Sequence, residues 1–382
     1  MTNFLTKLRQ RFEPLEPLSP GIYHYQAPAE ADFLHRMHLR IDPNGQGLLI
    51  VNASTVLHLN QTAAEYAYHL VQQTPAEEAA RQVVQRYQVS GKQARQDFDN
   101  LKTRILTLIE VPDLDPVTFL DFERDAPYSG EIAAPYRLDC ALTYRLPEGT
   151  QPDAAPTKRV DRELTTEEWK NIIDKAWGAG IPHIVFTGGE PTMREDLSDL
   201  IAHAEANGQV TGLLSNGLHF SNQEYLQTML QTGLDHLMVT LHPEDETAWE
   251  ALDKVLPEDL HTTVHLTITQ ENASEIPNIL DRLAKMGTNA LSLSAASPDL
   301  NHLLESSSEQ AALLDLSLVW DIPVPYSEQN PIALETEQDT PPKGTGRAWL
   351  YVEPDGDVLP AQGINQVKGN LLRESWEDVW GV

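Results

Sequence analysis

Glu190 has the surroundings best suited to chemistry. It follows Gly188 and Gly189 in TGGEP (187–191), at the end of the apolar run His183 to Thr187. Glycines permit close backbone approach and unusual φ, and carbonyls beside a carboxylate suit an ammonium group. His242 and His265 are the other convergent titratable candidates, and with Glu190 they suit general acid–base work. Ser215, Asn216, Thr240, Thr267, Ser292 and Ser294 add hydroxyls and an amide on neighbouring runs. The chain has one cysteine, Cys140. One thiol excludes a disulfide framework, a zinc–thiolate site and a cysteine-ligated iron–sulfur cluster. CALTYR (140–145) carries no HxH pair, so no metal site is expected.

These residues need a scaffold, and the hydrophobic pattern supplies one. From residue 135 to 322, strand and helix text alternate at a period of roughly 25 residues, the rhythm of a βα-repeat sheet or barrel. Strands are expected at Tyr136–Arg145, His183–Thr187, Leu213–Ser215, Leu237–His242, Thr263–Thr269 and Leu291–Ala295. Thr165 with Glu168 makes a capping box for one intervening helix, and Ser221 with Glu224 caps another. Alternation sends Val264, Leu266 and Ile268 toward the helices. His265 and Thr267 then face the lumen, with Thr240, His242, Ser292 and Ser294. Leu138, Cys140, Leu142 and Tyr144 share a parity, so Cys140 points away from the lumen as a small hydrophobe. A lumen lined by hydroxyls and imidazoles implies a wet cavity or a polar ligand; the alternative is mutual satisfaction through buried water.

Upstream, Leu48, Leu49, Ile50 and Val51 pair with Val56–Leu59 as a hairpin. Three helices follow, started by Asn60, by Thr74-Pro75 with Glu77, and by Ser90. This reads as a compact winged-helix-like module. Proline-rich stretches at 112–134 and 321–346 read as linkers. The organisation expected is an arm (1–19), the module (20–111), a linker (112–134), a barrel (135–322), and a linker with a short tail (323–382).

Composition narrows the partners. Across 382 residues, 27 Lys and Arg stand against 57 Asp and Glu, a net charge of −30. Such a surface repels phosphate backbones and anionic lipid, so neither nucleic acid nor membrane is expected as partner. No apolar run is long enough to span a bilayer, and the N-terminal text has no apolar signal core, so a cytoplasmic protein is expected. Oligomeric state is not legible.

The motifs together resemble radical S-adenosylmethionine (SAM) proteins of the SPASM, PqqE-like kind. TGGEP resembles their second-strand motif, LLSNG (213–217) the third-strand ending, VTLHP (239–243) the fourth strand, and TITQENASEIP (267–277) the fifth. PDGDVLP (354–360) with GNLLRESWEDVW (369–380) resembles their SPASM or twitch extension, and LHLNQTAAE (57–65) resembles PqqD-like peptide-binding modules. The resemblance implies a partial (β/α)6 TIM-type barrel between a winged-helix-like PqqD domain and a SPASM/twitch-like extension. It implies that Gly188, Gly189, Glu190, Ser215, Asn216, Thr240 and His242 meet SAM or a related nucleoside, with His265, Thr267, Ser292 and Ser294 lining the cavity. It also implies a leader peptide added to the sheet edge at Leu48–Val51.

The departure lies in the loop after the first strand. The family's CxxxCxxC positions fall on Leu146, Thr150 and Asp153, and Ala361 stands where a further cysteine is common. No iron–sulfur cluster is expected, and radical chemistry, which is the cofactor's own work, should be lost. The first reading is a degenerate relative that binds a precursor peptide or a modifying partner enzyme. The second is a non-radical enzyme using Glu190, His242 and His265. The third is a live radical enzyme borrowing a partner's cluster.

Overall fold

The computed structural model describes residues 18–28, 30–52, 55–111, 132–151, 153–320, 322–334 and 344–381. The expected linker at 112–134 falls almost wholly outside them. The chain forms two compact units, one within the first 126 residues and one in the remainder.

The N-terminal unit is an antiparallel meander, β1 (Gly21–Gln26), β2 (Arg36–Ile41), β3 (Gly47–Val51) and β4 (Thr55–Leu59). Helices α1 (Gln61–Val71), α2 (Ala76–Arg86) and α3 (Gly91–Glu110) follow. Leu39, Leu49 and Leu57 of the sheet meet Ala64, Ala67, Val83, Phe98 and Ile105 of the helices in a single core. Asn60 caps α1 through Ala63 N, and Ser90 caps α3 through Gln93 N. Helix α2 departs from expectation: Pro75 is its N-cap and makes no side-chain cap bond. The Thr74 hydroxyl lies instead 3.4 Å from His69 Nδ1.

The predicted hairpin is β3–β4, but Leu48–Val51 is not a sheet edge. Leu48 pairs with Arg40 on one side and His58 on the other. Its backbone groups are already used, so this segment cannot template an added strand. The edges are β1 and β4. Strands β1 (GIYHYQ) and β2 (RMHLRI) escaped notice because Tyr, His and Arg interrupt their apolar pattern.

The second unit repeats strand and helix: β5 (Arg137–Thr143), α4 (Thr166–Gly178), β6 (His183–Gly188), α5 (Leu197–Asn207), β7 (Val210–Ser215), α6 (Gln223–Gln231), β8 (His236–Thr240), α7 (Glu246–Val255), β9 (His261–Ile268), α8 (Ile276–Lys285), β10 (Ala290–Ala295) and α9 (Asn301–Leu313). Strands β5 to β10 are parallel and adjacent in chain order. Strand β11 (Ser317–Leu318) joins β10 at one edge; β12 (Trp349–Val352) joins β5 at the other, followed by β13 (Asp357–Leu359), β14 (Gly369–Asn370) and α10 (Trp376–Trp380). The two ends of this sheet do not pair among the described residues, so it stays open, as a partial barrel does. The tail is thus an extension of the barrel sheet. The Thr165–Glu168 capping box forms as expected. At α6 the cap is Asn222, which accepts from Glu224 N and Tyr225 N, while Ser221 donates to Leu218 O.

One face of the sheet packs on the helices. Leu138, Cys140, Leu142, Phe186, Leu213, Val239 and Leu266 meet Trp169, Ile172, Leu200 and Leu252 there. Cys140 is fully buried among them, and burial with the neighbouring Asp139 pushes its thiol pKa well up. Tyr144 departs from this parity. The β5–β6 register shifts between Ala141 and Thr143, which turns Tyr144 to the opposite face with Ala141 and Tyr351.

The inner face is layered. At the N-terminal strand ends, His183 Nε2 and His236 Nε2 lie 2.7 Å apart, one donating and one accepting. They meet across β7 because Gly212 has no side chain; a Cβ there would overlap the His236 ring. Burial lowers both imidazole pKa values, His236 to about 4. Above them Val185, Leu214 and Met238 form an apolar patch. The lumen is therefore not polar throughout.

Of the expected linker at 321–346, residues 322–334 and 344–346 are described, and the first stretch makes specific contacts with the barrel sheet. Ile322 packs on Val185, Leu214 and Met238. Tyr326 N donates to Gly188 O at 2.9 Å, and Ile332 N donates to Ala154 O at 3.1 Å. Tyr326 is 2% exposed and meets Tyr144 edge-on at 5.5 Å between ring centroids. Ile322 and Tyr326 thus lie against the inner face of the sheet.

Candidate functional site

In parallel α/β sheets, ligands bind at the carboxyl ends of the strands, where loops diverge. At β6 this end is Gly188-Gly189-Glu190. Gly188 has φ +129°, and a Cβ there would overlap the Thr143 carbonyl. Gly189 is equally confined by the Arg145 carbonyl. The turn is stitched to the end of β5 by Gly189 N to Thr143 O (2.8 Å) and Glu190 N to Arg145 O (2.9 Å).

Glu190 is 3% exposed and saturated with donors. Its Oε1 accepts from Thr192 N at 3.0 Å, Thr192 Oγ1 at 2.5 Å and Ser215 Oγ at 2.8 Å. Its Oε2 accepts from Asn216 N at 2.8 Å. Ser215 Oγ also accepts from Gly217 N, and Asn216 Oδ1 accepts from Leu218 N. The predicted trio of Glu190, Ser215 and Asn216 is therefore together in space, but as an internal clasp between the ends of β6 and β7. With Gly188 O held by Tyr326 N, the main ammonium acceptors at this turn already have donors. Thr187, fully buried on β6, has a hydroxyl that makes no hydrogen bond among the described residues.

The remaining candidates divide. Thr240 Oγ1 donates to Ser215 O at 3.3 Å, beside the clasp. His242 stands partly exposed, its Nδ1 3.7 Å from Glu244 Oε1. His265 Nδ1 lies 3.0 Å from Ser292 Oγ, and its Nε2 lies 3.0 Å from Ser294 Oγ and 3.3 Å from Thr267 Oγ1. Burial takes its pKa down to about 4, so it is neutral near pH 7. The cavity residues thus satisfy one another directly. No hydrogen bond joins Glu190, His242 and His265 into an acid–base group.

Open space lies elsewhere. A pocket of about 830 Å³ sits beyond the ends of β8 to β10, and Thr267 is the one predicted site residue among its lining. Trp249, Asn272, Arg282 and Glu328 help to form it. The Arg282 guanidinium lies 3.8 Å from the Trp249 ring centroid, and Trp249 Nε1 donates to Pro243 O at 2.9 Å. Sequence reasoning passed over Trp249 and Arg282; the signal was the α7 stripe Trp249, Leu252, Val255.

The loop after β5 offers nothing to an iron–sulfur cluster. Residues 146, 150 and 153 are Leu, Thr and Asp, and the sole thiol lies on the helix side of β5. The residues present do not fit that group. One acidic trio, Glu353, Asp355 and Asp357, brings a carboxylate oxygen from each within 4.8 Å. These are hard oxygen ligands without thiolate or imidazole. Glu353 already accepts from the Tyr144 hydroxyl at 2.9 Å, and Asp357 from Asn370 Nδ2 at 2.7 Å.

An open parallel sheet with a glycine–glycine–glutamate turn on its second strand defines a class. Residues 140–261 match the model of the Radical SAM superfamily. That match runs from within β5 to the start of β9, on a chain whose single cysteine is Cys140. The PqqA peptide cyclase of Methylobacterium sp. (strain 4-46) is 24% identical over 286 residues, covering 65% of this chain and 73% of the cyclase. That of Streptomyces rochei is 25% identical over 280 residues, covering 65% and 76%. Among solved structures, Streptococcus suis SuiB aligns with a TM-score of 0.59 at 15% identity, over 90% of this chain and 86% of SuiB. SuiB bound to precursor peptide SuiA aligns at 0.57 and 15%, with the same coverage. Among the described residues, no helix is long and apolar enough to cross a membrane.

Proposed function

We propose that this protein is a catalytically degenerate radical-SAM relative that binds a precursor peptide or a partner protein in peptide modification. The observation that carries the reading is the lone thiol, Cys140, fully buried against helices, with no ligand set in the loop after β5. The likeness to SuiB, solved with its precursor peptide, supports peptide as the partner class. In the N-terminal unit, β1 and β4 are the sheet edges among the described residues, and strand addition there would give affinity through main-chain bonds without reactive side chains. The charge of −30 favours a basic peptide or partner.

SAM or a related nucleoside is the small molecule this fold would take, and its binding here is weak. The Gly188 carbonyl and the Glu190 carboxylate are engaged internally, and no iron would chelate the methionyl group. The acid–base reading finds no supporting contact, because Glu190 and His265 are bonded to different partners. The test combines anaerobic reconstitution with iron and sulfide, calorimetry with SAM, and capture of candidate precursor peptides. The expected results are a colourless protein, a SAM dissociation constant no tighter than millimolar, and peptide binding. Near-stoichiometric iron with a 4Fe–4S signal would overturn the reading.

A further inference from the structure

We infer that the inner face over β5 to β8 is a groove for an extended peptide, and that Ile322–Pro331 is its internal occupant. This rests on the peptide-binding reading above and names what the barrel, as distinct from the N-terminal unit, would bind. The segment, IPVPYSEQNP, has prolines at 323, 325 and 331. Proline lacks an N–H and holds φ near −65°, which keeps residues 322–325 extended without strand pairing; the chain then turns at Ser327 and Asn330, each of whose N–H groups donates to the other's carbonyl at 3.2 Å. No strand or helix is assigned between residues 322 and 331. It lies in the barrel as a ligand would, held at two anchors. Ile322 enters the patch of Val185, Leu214 and Met238. Four residues on, Tyr326 sits against Tyr144, and its N–H meets Gly188 O.

Side chains reach the main chain of this segment at Val324. Gln362 Nε2 reaches Val324 O at 2.7 Å, while Asn330 Nδ2, within the segment, also reaches Val324 O at 2.7 Å. A sheet strand would be bonded along its whole length. Glu328, Gln329 and Pro331 form a wall of the 830 Å³ pocket, so release of the segment joins that pocket to the groove. The recognised chemistry is an aliphatic side chain followed four positions later by an aromatic one, on an extended, proline-tolerant backbone.

The test uses the full chain and a labelled decapeptide of sequence IPVPYSEQNP. In the double variant Ile322→Ser, Tyr326→Ala, both anchors are withdrawn while the groove is untouched. Fluorescence anisotropy should show the decapeptide binding this variant at least tenfold more tightly than the parent chain. A decapeptide with Ser and Ala at the two anchor positions should not bind. Equal affinity for both proteins, or no binding to a folded variant, overturns the inference. If the variant loses its near-ultraviolet dichroism, hydrogen exchange on the parent chain decides. The Tyr326 amide should exchange at least tenfold faster than those of Phe186 and Leu213, by local opening. Equal protection overturns the inference. A chain that captures a precursor peptide yet fails these tests loses the internal-occupant inference alone.

Discussion

Replacing Glu190 by Gln isolates what its carboxylate does. Size and shape are kept, and one oxygen becomes an NH2. Of the four donors, the hydroxyls of Thr192 and Ser215 can rotate away, but two are backbone N–H groups that cannot. Thr192 N points at Oε1 and Asn216 N at Oε2. Either amide orientation therefore leaves one buried N–H facing an NH2 at hydrogen-bond distance. An unsatisfied buried donor costs about 1–3 kcal/mol, and loss of charge assistance on the remaining bonds adds about 1 kcal/mol. The expected loss of stability is about 2–4 kcal/mol. Urea unfolding followed by tryptophan emission measures it selectively, because all seven tryptophans lie beyond residue 126. A midpoint unchanged from the parent would refute the clasp. If SAM affinity then fell instead, the carboxylate would be facing ligand and not the protein.

His265 makes the barrel sensitive to acid. Its buried pKa of about 4 lies below the unfolded value near 6.5, so the unfolded chain binds the extra proton between those limits. Its contribution is full above pH 6.5 and falls by up to about 1.4 kcal/mol per pH unit toward pH 4. Urea midpoints at pH 7 and pH 5 should show the loss, and His265→Gln should flatten the slope; an unaltered slope would contradict the assignment. Gly212→Ala should cost about 1–3 kcal/mol by driving a Cβ into the His236 ring. Adding His236→Ala should cost less than the sum of the single changes, and strict additivity would show that the two do not meet. A fragment spanning residues 18–111 should unfold cooperatively on its own, since its sheet and helices share one core. An aggregated or unstructured fragment would refute that.

What could be read from sequence follows from where the apolar pattern was clean. Strands β5 to β10 carry aliphatic residues in short runs or at alternate positions, and Thr165 with Glu168 announced a helix start by local bonding alone. Tyr144 was misplaced because a register shift in β5 breaks strict alternation, and nothing in LTYR marks it. Strands β1 and β2 were hidden by His24, Tyr25, His38 and Arg40, of which His38 and Arg40 are buried in the sheet despite their polarity. For the site, TGGEP marks the turn after β6, but residue types do not reveal which of its acceptors the protein itself engages. Thr192 closes on Glu190 within the same turn, but the bonds from Ser215 and Asn216 depend on β6 and β7 lying side by side. That Gly188 O would be taken by Tyr326 depends on a proline-rich stretch folding inward, where composition alone reads as linker.

Cys140 sits at a seam. Its β5 position pairs with Phe186 on one side and with Val352 of β12 on the other. Being the chain's only thiol, it is a natural single-site reporter. In the closed fold it is fully buried and its pKa is raised, so little thiolate exists for a reagent to meet. Only separation of the tail from the barrel, or of the barrel from its helices, would bring it to a maleimide. The rate of alkylation then counts those openings directly. A chain still emerging from the ribosome, with β12 not yet made, would be marked where the finished protein is not.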